Sequence, residues 1–545
     1  MINKTAKIRL TIVALAFLGL FVIIAIHLYL LQITKHPFFS TLGNQQYGVT
    51  IKTLPPRAPI FDLHNKLIAT EKPVMSIFIT PNSLKDRETL VNFLSHYYPH
   101  ALTKLAAHPQ AHFMYVARNI TDAELASIAD LNVPDVFVLE EPGRYYPITC
   151  LGTVVGKTDI DNKGISGIEL LYNAQLAGTP TTTHIEKDAR SGRYYFNKKT
   201  ITTGSMGKPL HLTIDSTLQF LAYEELKETI EKFNAKEGSV IIMDPVSGAI
   251  YAMATIPDVD PNTSKIEDMS LLKNRVVTET YELGSVMKTF LALAALEEKI
   301  YTPEDIIDCE NKKIGYVNGM KFSTWKEHGD LTLSQIIEYS NNIGTAKIAQ
   351  KLGTKLYDHY VRCGFGQPTG FTFPGQQRGY VTHPKTWSKA SLNSLSFGYE
   401  NRATLLQLAR AFSLFANGGY LPTPYLVNSP STPIAPKFLY SPETITQMRT
   451  ILEKTCTQGT AHAATIPGVT VLGKTGTARL LDETGTYSPL KNIYTFAGII
   501  EKGPYKRVIV TFIKEASRHD LYASTVAAPL FERIAQKMLI HDNVI

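Results

Sequence analysis

The tetrapeptide Ser285-Val286-Met287-Lys288 places a hydroxyl and an amine three positions apart. Residues three apart are neighbours on a helix, so if Ser285 opens one, Lys288 lies a turn later on the same face. A serine hydroxyl is a poor nucleophile at neutral pH, and covalent catalysis needs a base within hydrogen-bond reach. The lysine can be that base once desolvation or a second cation lowers its pKa. Gly284 allows a tight entry to the helix, and a helix N-terminus favours negative charge near Ser285. Alone, S-x-x-K is a common chance pattern on solvated helix faces. Two further groups accompany it: Ser340-Asn341-Asn342 between two helical patterns, and Lys474-Thr475-Gly476-Thr477 at the end of an apolar strand.

The surrounding pattern says what must hold these groups. Residues 239–243 and 249–254 read as strands joined by Asp244-Pro245-Val246-Ser247-Gly248, which supplies turn geometry, and so as a hairpin. Helical periodicity follows at 286–298, 333–339, 343–352 and 404–416, strand patterns at 469–474, 495–500 and 508–513, and a closing helix at 525–540. An antiparallel sheet flanked by helices, with a helical lobe between its first and last strands, accounts for that order. Upstream, residues 210–214 read as a strand and 215–233 as a helix. Before them a stretch rich in proline and turn residues (52–72), alternating runs at 74–79 and 136–139 and a helical pattern at 123–130 predict a mixed module. The fold class is α+β throughout.

With 545 residues, two or three folded units are expected, and 44% hydrophobic with 19% charged residues is a globular balance. A net charge of +7 is small for this length, and no basic stretch with interleaved aromatics marks a nucleic-acid surface. Cys150, Cys309, Cys363 and Cys456 are widely spaced, so neither structural zinc nor any other metal is expected, and no disulfide is assigned. Residues 10–31 are almost wholly apolar, long enough to cross a bilayer, and His27 among them is given no role. Lys4, Lys7 and Arg9 before the segment keep the N-terminus in the cytoplasm and export the rest. The run exceeds a signal-peptide core and no small-x-small cleavage site follows, so the anchor is expected to be retained.

The three motifs, in this order, are those of penicillin-binding proteins and class A β-lactamases. The chain resembles a class B, monofunctional penicillin-binding protein over nearly its whole length. Arg57-Ala58-Pro59-Ile60-Phe61-Asp62 resembles the opening of that family's pedestal (dimerisation-type) domain, and Asp188-Ala189-Arg190-Ser191-Gly192-Arg193 a later pedestal element. Leu212-Thr213-Ile214-Asp215 with Leu218-Gln219 resembles the entry to its transpeptidase domain, and residues 238–254, Asn274-Arg275, Gly459-Thr460 and Ala527-Ala528-Pro529 are similar too. Ala58 stands where glycine is usual, Leu63 where a basic residue is common and Asn65 where a turn glycine is; asparagine tolerates the left-handed region. The implied partition is a cytoplasmic tail at 1–9, a transmembrane helix at 10–31, a pedestal at 32–205 and a transpeptidase domain at 206–545.

By this resemblance Ser285 attacks the D-Ala-D-Ala carbonyl of a peptidoglycan stem peptide, and the amine of a neighbouring stem resolves the acyl-enzyme. Lys288 is the expected base, although the base is disputed across the wider superfamily. Ser340 relays a proton to the leaving amine, Asn342 holds the substrate amide and helps fix Lys288, and Lys474, Thr475 and Thr477 receive the substrate carboxylate. A side chain at Gly476 would obstruct a substrate laid along the strand edge. The backbone N–H groups of Ser285 and Thr477 form the implied oxyanion hole. The resemblance implies no cofactor, and makes Ser285 a β-lactam target. No loop offers the water-holding glutamate of a lactamase. Glu282-Leu283-Gly284, with Val155-Gly156-Lys157-Thr158-Asp159-Ile160-Asp161 and residues 164–169, is more similar to the division type, whose partners include a lipid-linked glycan polymerase and other division proteins. A D-Ala-D-Ala carboxypeptidase and an inert division scaffold remain the alternatives.

Overall fold

The computed structural model describes residues 3–53, 55–111, 113–131, 133–187, 194–263, 266–428, 436–482, 484–517 and 521–545. Two compact units emerge, one made of residues 1–56 and 177–207, the other of 57–176 and 208–545. The pedestal-like element at 188–193 lies outside the described residues.

The first unit carries a helix over Lys4–Tyr29, prolonged by a π-helical turn at Leu30–Thr34, none of it buried by other parts of the protein. An apolar helix with no protein to cover it needs another apolar medium, which a bilayer provides. A three-stranded antiparallel sheet of Gly48–Thr53, Thr181–Lys187 and Tyr194–Thr202 completes the unit.

In the second unit the five-stranded antiparallel sheet runs in the order Ile250–Ile256, Glu237–Met243, Tyr505–Lys514, Tyr487–Lys502, Thr470–Leu481. Its strands are apolar on both faces because both are covered. Val240 and Ile242 join the cluster containing Leu218 and Leu226 of the Ser216–Phe233 helix and Leu530 and Ile534 of the Ala527–His541 helix. Ile241 and Met243, one residue out of phase, join the cluster containing Phe290, Leu408 and Ile451 from the helical lobe. The lobe interrupts the sheet between its second and third strands in sequence, as the pattern predicts, so Thr470–Leu481 returns as an edge strand beside the lobe.

The run at 210–214 departs from expectation. Only Leu210–His211 is strand, paired parallel to Ile60–Phe61. Thr213 N then donates to Leu426 O at 2.8 Å and its hydroxyl to Ile250 O at 2.7 Å, so the chain changes partners before a longer ladder forms. Two elements that carried the resemblance meet in the core of this unit: Arg57 and Arg144 both bond the buried Glu169 carboxylate, each through Nε at 2.7 Å. Asn65 adopts φ 60°, the left-handed turn its side chain tolerates.

Candidate active site

The turn that carries Ser285 is built by glycine. Gly284 has φ 60°, and a Cβ there would stand 2.7 Å from Thr477 O. The chain then makes a 3-10 turn, Gly284–Met287, before the α-helix Lys288–Glu297. With three residues per turn, Ser285 and Lys288 share a face. The helix is apolar all round and buried almost entirely, so Lys288 is carried into the interior.

There its Nζ donates to Asn342 Oδ1 at 2.6 Å, to Ser340 O at 2.7 Å and to Ser340 Oγ at 3.2 Å. Ser340 sits at φ 56° between the helices Leu333–Glu338 and Asn342–Leu352. A non-glycine residue in that region costs about 1–3 kcal/mol, and such strain persists where surrounding structure fixes it. Asn341 fixes it here by capping the second helix, accepting Gly344 N at 2.9 Å. Asn342 Nδ2 donates to Ser323 O at 2.7 Å, which orients its carbonyl oxygen toward the lysine. Ser285 itself is half-buried, and among the described residues its hydroxyl has no hydrogen-bond partner.

Lys474 is the second buried amine, from the edge strand, and among the described residues its Nζ bonds only Thr475 O, at 3.3 Å. Burial pushes its pKa down to about 7. Burial first, and then the charge of Lys474, hold Lys288 well below the ordinary lysine range. Among the described residues neither amine is bonded to a carboxylate, so an anion entering the site would favour the protonated form of either.

The edge strand closes the arrangement. Arg479 N points off its free edge to Tyr399 Oη at 3.1 Å. Backbone groups alternate along a strand, and the pairing with Tyr487–Lys502 is regular from Thr470 to Arg479, so Thr477 and Thr475 present N–H and C=O off the same edge. Gly476 faces the nucleophile turn. A Cβ there would lie 2.5 Å from Leu283 O and 2.6 Å from Val286 Cγ2. The space is taken by the turn carrying Ser285, a further requirement for glycine that the sequence does not show. Thr475 Oγ1 lies 3.2 Å from Thr460 Oγ1, and Thr477 Oγ1 accepts Ala523 N at 3.1 Å.

The structure therefore gathers Lys288, Ser340 and Asn342 through direct bonds, and Gly476 against the turn of Ser285. Lys474, Thr475 and Thr477 follow on the same strand. Sequence reasoning missed Ser323, which orients Asn342, and Tyr399, which meets the strand edge; both act through contacts distant in sequence and leave no local signal.

Comparison with known proteins fits this geometry. Residues 238–536, more than half of the chain, match the penicillin binding protein transpeptidase domain. The chain belongs to that family. Residues 52–212 match the penicillin-binding protein dimerisation domain, so the layout is that of class B, and the enzyme is a transpeptidase. The chain is 29% identical to the probable peptidoglycan D,D-transpeptidase PbpC of Pseudomonas aeruginosa, covering 98% of this chain and 95% of that protein. With the peptidoglycan D,D-transpeptidase FtsI of Escherichia coli it is 27% identical over 90% of this chain and 84% of the other. In fold it is similar to penicillin-binding protein 3 of Mycobacterium tuberculosis complexed with aztreonam, with a TM-score of 0.69, 23% identity and coverage of 91% and 98%.

Proposed function

We propose that this transpeptidase cross-links peptidoglycan stem peptides through an acyl-enzyme on Ser285, in septal wall synthesis at cell division. The observation that carries the reading is the bonding of Lys288 to Ser340 and Asn342 beside the turn of Ser285. A lysine desolvated in this way, beside a second amine, gives up its proton more readily than an ordinary lysine and so suits a base. Ser285 Oγ attacks the donor carbonyl while Lys288 takes its proton, and the oxyanion is met by the N–H groups of Ser285 and Thr477. Ser340 Oγ, bonded to Lys288, passes the proton to the departing D-Ala amine. The amine of a second stem then attacks the ester by the reverse sequence. Lys474 with Thr475 and Thr477 holds the substrate carboxylate, and that negative charge favours the protonated form of Lys474.

The protein is held in the cytoplasmic membrane by its N-terminal helix, with Lys4, Lys7 and Arg9 on the cytoplasmic side and the catalytic unit outside. The functional division is a tail at 1–9, the anchor at 10–31, a pedestal at 32–205 and the catalytic domain at 206–545. β-Lactams acylate Ser285. A lipid-linked glycan polymerase and other division proteins contact the anchor and pedestal. The septal role is supported by the FtsI naming of several relatives.

A donor stem peptide supplied with and without an acceptor amine tests the reaction. Cross-linked product dominating when the amine is present supports transpeptidation. Hydrolysis that ignores the amine identifies a carboxypeptidase, and no turnover with no penicillin label identifies a scaffold.

A further inference from the structure

Outside the catalytic motifs, three side chains widely separated in sequence converge on one point: His64, Asp215 and His541. His64 lies in the turn between the short strands Ile60–Phe61 and Leu67–Ile79, Asp215 caps the Ser216–Phe233 helix, and His541 ends the last helix. His64 Nε2 is 3.0 Å and His541 Nε2 3.1 Å from the same oxygen, Asp215 Oδ2, and all three atoms lie within 4.8 Å of one another. The other carboxylate oxygen is already committed, accepting Thr217 N at 2.8 Å and Leu218 N at 3.1 Å. Those bonds fix the carboxylate and leave Oδ2 aimed at the two rings.

From this convergence we propose that His64, Asp215 and His541 form a zinc site that fastens the last helix to the turn after Phe61. Two imidazoles and one carboxylate are a common zinc donor set, at about 2.0–2.2 Å from the ion. Ligands at that radius in tetrahedral array stand about 3.3 Å apart, so the two short spacings need to open by only a few tenths of an ångström. His64 is more than half exposed and on a turn, free to make that adjustment. A second carboxylate, Asp542, has Oδ1 3.9 Å from His541 Nε2 and is held by the Tyr505 hydroxyl, so two negative charges face the dication. His541 also stands at a helix C-terminus, where the backbone dipole favours a cation. None of these residues belongs to the three motifs of Ser285, Ser340 and Lys474, and the site stands independently of the proposed reaction.

The test uses the full-length chain in detergent, freed of metal by chelation and titrated with zinc chloride in a calorimeter. Wild type is expected to bind one equivalent and to show a higher Tm when loaded, because a ligand that binds only the folded state stabilises it. His64→Ala and His541→Ala are each expected to weaken binding by at least about 10-fold and to abolish the Tm shift. His96→Ala, in an exposed position elsewhere, should bind as wild type does. Penicillin labelling of each variant verifies that it has folded. Wild type that takes up no stoichiometric zinc, or a His64→Ala/His541→Ala double variant that binds as tightly as wild type, overturns the proposal and leaves two histidines hydrogen-bonded to an aspartate.

Discussion

Lys288 Nζ lies 2.6 Å from Asn342 Oδ1, joining the nucleophile helix to one that begins 54 residues later. Both ends of the contact are fixed: the lysine by an apolar helix buried on every side, the amide by the Ser323 carbonyl. The amine is thereby buried where its neutral form is favoured more than that of an ordinary lysine.

Replacing Lys288 by methionine should separate catalysis from stability. Removing a general base typically costs about 10²–10⁴ in rate, so acylation by penicillin should fall by at least 10²-fold. Folding holds this amine well below its ordinary pKa, which costs free energy wherever the unfolded chain keeps the proton, and a methionine of similar volume carries no such cost. The Tm of Lys288→Met is therefore expected to equal or exceed that of wild type, as calorimetry would show.

Lys474 sets a pH dependence of stability with a definite sign. Its folded pKa of about 7 lies below the ordinary 10.5, so between these values the unfolded chain holds a proton that the folded protein does not. Stability from this group is fully present above 10.5 and is lost as pH falls through about 7. In urea titrations, the difference between Lys474→Met and wild type should widen as pH drops from 10.5 to 7 and level off below.

The same two amines shape the rate profile. On the proposed mechanism the rising limb of kcat/KM should report loss of the Lys288 proton, and the falling limb loss of the charge on Lys474 proposed to attract the substrate carboxylate. The limbs belong to the coupled pair rather than to either residue. Lys474→Arg keeps its charge at high pH, so its falling limb should move to higher pH; an unchanged profile would remove Lys474 from carboxylate recognition.

Gly476→Ala should act through the nucleophile turn. The added Cβ meets Leu283 O and Val286 Cγ2 at 2.5 and 2.6 Å, so strand and turn must part. Overpacking of this kind costs about 1–3 kcal/mol, and acylation should slow with little recovery at saturating β-lactam.

Glu169→Gln strands two buried arginines, Arg57 and Arg144. Breaking a buried pair from one side costs about 3–5 kcal/mol, which denaturant unfolding of the variant should reveal.

The sequence made the catalytic half most legible. The strands that bury both faces, the helices beside them and the three motifs carry local patterns, and Asn65 was readable as a left-handed turn. What it withheld depends on distant partners. Residues 210–214 look like one strand because their alternation is intact, yet Phe61 and Leu426 claim the successive backbone N–H groups of Leu212 and Thr213, and Ile250 claims the Thr213 hydroxyl. The close approach to Gly476 was not legible because Leu283 and Val286 reach it from nearly two hundred positions away, and no periodicity announces that Arg57 and Arg144 will share Glu169.

The most direct measurement is the mass of the full-length protein after incubation with benzylpenicillin, followed by mapping of the modified peptide. One adduct per chain on Ser285, absent from Ser285→Ala that unfolds at the wild-type temperature, is the predicted result. An adduct on any other residue, or equal labelling of Ser285→Ala, would contradict the account.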